Sequence, residues 1–123
     1  MTALGVLLIS GGHERAHYAL VLATGAAAIG RDVTLFCTNA GTRLLLAEQP
    51  LLTDPREAAL AARGVAGIGT LLPAAQELGI GLLACEAGLA SEDLRDAAML
   101  PGAQISGVVT FLARIGAGQI VTL

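Results

Sequence analysis

Five residues in this 123-residue chain are of types that carry chemistry: His13, Glu14 and His17 within "GGHERAHYAL", Cys37 in "DVTLFCT" and Cys85 in "LLACEAG". The first three form H-E-x-x-H. On a helix, that spacing puts two imidazoles on one face, where they can share a zinc ion while the glutamate acts as general base. A catalytic zinc also needs a third protein ligand and a water. Here the pattern follows an apolar run and a Gly-Gly turn, and its helix is Ala-rich and apolar on nearly every side. Such a helix is buried against a sheet. A metal-dependent hydrolase using His13, Glu14 and His17 is therefore the remote alternative. His17 is expected to pack in the core, and no resident metal or cofactor is expected.

The two thiols are the stronger candidates. Cys85 closes an apolar strand immediately before a helix, whose first amides favour a sulfur anion. Glu86, next to it, places a negative charge that acts the other way. The chain has no C-x-x-C, which disfavours a thioredoxin-type redox pair. In an open parallel sheet, ligands bind beyond the carboxyl ends of the strands. The first strand runs out at Ser10 into Gly11, Gly12 and His13. The second ends at Cys37, followed by Thr38 and Asn39, and the third at Cys85, followed by Glu86. In a flavodoxin-like order, strand one would lie between strands two and three, and His13 between the two cysteines. The cysteine backbones would then be about 10 Å apart, too far for a disulfide. Single-thiol chemistry at Cys85 is the expectation, in a pocket of His13, Cys37, Asn39 and Glu86.

The elements that would position these residues alternate along the chain. "LGVLLIS" is apolar on both faces, as in a central parallel strand. A helix from about Glu14 to Ile29 is closed by Gly30. "DVTLFC" makes a second strand and completes a βαβ unit. A short helix near Thr42 to Ala47 and a loop follow. A helix then starts at Gly69 or Thr70, with Pro73 in its first turn, and ends at Gly79. "IGLLAC" is the third strand. Ser91 is placed as the N-cap of the next helix, with Glu92 and Asp93 in its first turn. "AQIS", the helix "GVVTFLARIGAG" and "QIVTL" complete the series. The pattern predicts a single domain over residues 1–123, a three-layer α/β/α sandwich with a five-stranded, mainly parallel sheet.

Composition narrows the function classes. The chain is 54% hydrophobic and 14% charged, which excludes disorder. It has no lysine and a net charge of −3, with no basic cluster, so nucleic acid is not an expected partner. Few charges leave apolar surface for a second copy to cover, which points to a homo-oligomer. "MTALGVLLISGG" lacks a basic start and a long apolar core, so it reads as a strand rather than a secretory signal. The longest apolar stretch, "YALVLATGAAAIG", is too short to span a bilayer. The cytoplasm is the expected compartment.

Taken together, "GVLLISGG", "ALVLATGAAAIGRDVTLFCT", "AQELGIGLLACEAG" and "AQISGVVTFLARIGAGQIVTL" resemble, in order and spacing, the DsrE/DsrF-like family of small sulfur-relay proteins. That family includes members labelled peroxiredoxin-like. The resemblance covers nearly the whole chain except about residues 48–66. It implies a YchN-like α/β fold and homo- or hetero-oligomers, often trimers or hexamers. It also implies that Cys85, matching the cysteine after the third strand, carries persulfide sulfur between donor and acceptor proteins without a cofactor. Whether the chain is a sulfurtransferase or a relay accessory stays open at this point. The other reading is a non-catalytic oligomeric or regulatory module on the same fold.

Overall fold

The computed structural model describes residues 2–123. Its frame is a five-stranded sheet: β1 (Leu4–Leu8), β2 (Val33–Cys37), β3 (Gly81–Cys85), β4 (Ala103–Ser106) and β5 (Gln119–Thr122). All neighbouring strands are parallel, in the order β4-β3-β2-β1-β5. Every strand therefore delivers its carboxyl end to the same edge. This order overturns the flavodoxin-like arrangement, because β2, not β1, lies beside β3. Runs of buried aliphatic residues specify that a strand is central; they do not specify which strand is its neighbour.

One face of the sheet carries α1 (His13–Ala28) and α3 (Ile68–Glu77). Helix α1 buries Ala16, Ala19, Leu20, Ala23 and Ala26, and the small side chains let its backbone lie close to the strands. Gly30, at φ 92°, turns the chain out of α1 as expected. Helix α3 begins at Ile68, just before the Gly69 or Thr70 start read from the sequence, so Pro73 lies past the first turn, in the helix interior. Both Pro73 and Gly69 are exposed, so the carbonyl left without an N–H partner meets water.

The opposite face is covered by α5 (Val108–Ile115). Phe111 and Ile115 press into it, and Phe111 stacks on Phe36 with ring centroids 4.8 Å apart. This approach needs Gly5: a Cβ there would lie 2.7 Å from the Phe111 ring and 2.8 Å from Ile115. Helices on both faces make the three-layer α/β/α sandwich read from the sequence.

Two elements depart from that reading. A helix, α2 (Pro55–Ala62), occupies a stretch read as loop, preceded by 3₁₀ turns at Asn39–Leu45 and Pro50–Thr53. Asp54 caps α2 by accepting from the Arg56 N–H, with Pro55 in the first helical position. Helix α4 (Glu86–Ser91) starts directly after β3 and ends at Ser91, the residue read as its N-cap. The Ser91 hydroxyl instead donates back to the Gly88 carbonyl, 2.8 Å away. Among the described residues, no helix is long and apolar enough to cross a membrane.

Candidate functional site

Alternation along the strands decides which face each cysteine occupies. Cys37 is in register with Ala84, and the two point to the same side of the sheet. Cys85, one residue on, points to the other. Cys37 is fully buried in the core beneath α1, whereas Cys85 packs with Phe36, Leu83 and Phe111 on the α5 side. The two thiols are free and lie on adjacent strands, but the sheet itself separates them. Burial pushes the Cys37 thiol far up from its ordinary value.

Cys85 is the junction between β3 and α4. It holds the N-cap position of that helix, and its Sγ accepts the Gly88 N–H at 3.4 Å. The residue is 8% exposed. Cys85 lines an open groove of about 360 Å³ together with Glu86, Ala87, Ala90, Arg95, Gly107 and Val108. An adjoining groove, lined by Leu89, Asp96 and Ile105, shares Glu86 and Arg95 with it. The small residues Ala87, Ala90 and Gly107 keep the approach to the sulfur open.

The residues expected around Cys85 are distributed unequally. Glu86 lines its groove. Asn39 stands behind α4, accepting the Ser91 hydroxyl at 3.3 Å. The left-handed backbone of Asn39 (φ 50°) starts the turn that backs Gly88. His13 lies on the other side of the fold, where its Nε2 is 2.7 Å from Glu57 Oε1, and it does not reach Cys85. Cys37 shares the sheet edge but not the face. Arg95 was not singled out in the sequence. It lies in a stretch without regular structure after α4, and its place beside Cys85 depends on how that stretch folds back.

The H-E-x-x-H residues serve the fold. His13 and His17 are 3% and 7% exposed and stack with centroids 6.0 Å apart. The Nε2 of His17 pairs with the Ala66 carbonyl at 2.8 Å. Glu14 points away to an ion pair with Arg56 at 3.2 Å. Among the described residues, no three His, Cys, Asp or Glu side chains gather as a metal site would require.

Glu57 was also missed in the sequence. Besides meeting His13, it accepts the N–H groups of Ile68 and Gly69 at 3.0 and 2.9 Å, capping α3 from a distance. Partial burial pushes its carboxyl up. The hydrogen bonds from His13, Gly69 and Ile68, with the His13 charge, outweigh that and hold it below its ordinary value. Three residues of "TDPRE" carried the signal: Asp54 as cap, Pro55 at the first position and Glu57 in the first turn.

A parallel α/β sheet with a cysteine at the carboxyl end of a strand, lining a groove, defines a small thiol-bearing α/β protein. Residues 3–123 match the model of the DsrE/DsrF-like family, and the chain belongs to that family, which is generally related to sulfur relay. The structure is similar to that of the ychN protein from E. coli, with a TM-score of 0.76 and 16% identity over 100% of both chains. At that identity the likeness speaks for the fold. No curated protein sequence matches the chain.

Proposed function

We propose that the protein is a small sulfur carrier that holds persulfide sulfur on Cys85 and passes it from a donor to an acceptor protein. The observation that carries this reading is the placement of the sulfur. Cys85 stands at the carboxyl edge of the sheet, accepts a backbone N–H and opens on a groove, whereas Cys37 is sealed in the core. Sulfane transfer needs one reachable thiolate and no cofactor. The thiolate attacks the outer sulfur of a donor persulfide, forming a new S–S bond. The donor's S–S bond breaks, and the donor thiolate leaves with its electron pair. Treating the protein with a sulfane-sulfur donor and measuring intact mass tests this. The account expects one added sulfur, lost in Cys85→Ser.

The reading includes a homo-oligomer, a trimer or hexamer, acting in the cytoplasm. Val108, Val109 and Leu112 on α5 are 50%, 77% and 51% exposed, an apolar helix surface of the kind that copies of a chain cover. Light scattering of the purified protein, with Val109→Glu for comparison, tests it: a monomer under all conditions contradicts the oligomer. The same surface favours a second reading, a non-catalytic oligomeric module. Oligomers that form normally while Cys85 takes up no sulfur would support that reading instead.

A further inference from the structure

The Cys85 groove carries one charge of each sign. Glu86 and Arg95 both line it, and both side chains are exposed. Two Arg–carboxylate ion pairs form elsewhere among the described residues, Arg43 with Glu92 at 2.6 Å and Arg56 with Glu14 at 3.2 Å, so what sets Arg95 apart is its place in the cysteine's groove and not its being unpaired. Arg95 makes neither an ion pair nor a hydrogen bond among the described residues, although Glu86 shares its groove. Asp96, next to Arg95, lines the adjoining groove and not that of Cys85. Two opposite charges that line one groove with a cysteine and do not pair with each other form a template for a ligand carrying both charges in the opposite sense.

Size and depth point the same way. The groove, about 360 Å³, falls at the lower end of small-molecule sites. Cys85 is only 8% exposed, so a slender molecule reaches it more readily than a cysteine on the flat surface of a folded donor. We propose that, within the sulfur-carrier reading on which this rests, the groove accepts a free α-amino acid bearing sulfane sulfur, a cysteine persulfide. Arg95 holds its carboxylate and Glu86 its ammonium group. A guanidinium suits the first because its fork matches a carboxylate's two oxygens. Ala87, Ala90, Gly107 and Val108 leave room for the short side chain between them. The step balances without an added oxidant. The Cys85 thiolate takes the outer sulfur with its proton, the donor S–S bond breaks, and cysteine thiolate departs with the bonding pair.

The experiment compares three donors on the full-length protein: cysteine persulfide, its N-acetyl form without the positive charge, and its methyl ester without the negative charge. Rates of sulfur uptake are read by intact mass and normalised to each donor's reactivity with a free small thiol. The expected result is an advantage of about tenfold for the zwitterion over both blocked donors. Arg95→Gln abolishes its advantage over the ester, and Glu86→Gln abolishes its advantage over the N-acetyl form. Normalised rates that are equal for the three donors, or indifferent to both substitutions, overturn the proposal.

A second readout needs no sulfur transfer. The ratio of iodoacetate to iodoacetamide alkylation at Cys85 should fall in Arg95→Gln and rise in Glu86→Gln. If that ratio responds while no donor loads Cys85, the sulfur-carrier reading fails and the charge recognition stands. If every donor loads Cys85 without regard to charge, the carrier reading stands and the amino-acid donor is overturned.

Discussion

The Gly88 N–H points at the sulfur of Cys85 from 3.4 Å, and it does so because residue 88 has no side chain. A Cβ at Gly88 would lie 2.5 Å from Thr38 Oγ1 and press on the Asn39 backbone. The first turn of α4 is therefore wedged between the sulfur and the turn that leaves β2. The position of the sulfur depends on contact between segments 50 residues apart in the chain.

Gly88→Ala should push α4 away from Thr38 and Asn39. Overpacking of this kind costs about 1–3 kcal/mol. Chemical denaturation should show that loss, and the rate of iodoacetamide alkylation at Cys85 in the folded protein should change with it. A variant as stable as the parent, with the same alkylation rate, would show that the wedge is not needed.

Glu57 joins three helices: it stands on α2, meets His13 of α1 and accepts two amides of α3. Gly67 makes this possible, since a Cβ there would lie 2.5 Å from the carboxylate. Glu57→Gln should destabilise the fold by about 1–3 kcal/mol near neutral pH. The carboxyl is held below its ordinary value of 4.5, so its stabilising contribution is complete above that value. It is lost as the pH falls from 4.5 through the lowered value. Unfolding curves for parent and variant should accordingly converge under acid conditions. A gap independent of pH would contradict the charged role.

Cys37 should be chemically silent. It is fully buried, and burial holds its thiol protonated. Native alkylation should modify Cys85 alone, and Cys37 should react only after unfolding. Cys37→Ser should cost about 1–3 kcal/mol, because a hydroxyl replaces sulfur in an apolar core. Sulfur uptake by Cys37→Ala equal to that of the parent is the companion result.

Much of the fold was written in local pattern. Apolar runs marked β1, β2 and β3, the short segments "AQIS" and "QIVTL" were read as β4 and β5, and Gly30 and Gly79 marked the ends of α1 and α3. Cys85 stood out because a strand end and a helix start coincide there. The strand order was not legible, since a buried strand carries the same residues whichever strand lies beside it. With the wrong neighbour, His13 was drawn toward Cys85; in the correct order it turns to Glu57. Ser91 has the side chain of an N-cap, but Cys85 already begins that helix, and the serine closes it. The two prolines around residues 50–55 suggested a loop and obscured the start of α2, although Asp54 and Pro55 are themselves a start signal. Arg95 had no local signature.

The central claim is that Cys85 accepts sulfane sulfur, and intact-mass measurement after exposure to a persulfide donor tests it most directly. The account predicts one added sulfur atom per chain, removed by a reductant, kept in Cys37→Ala and absent in Cys85→Ser. No added mass on the folded parent protein with any donor, or sulfur that persists in Cys85→Ser, would contradict it.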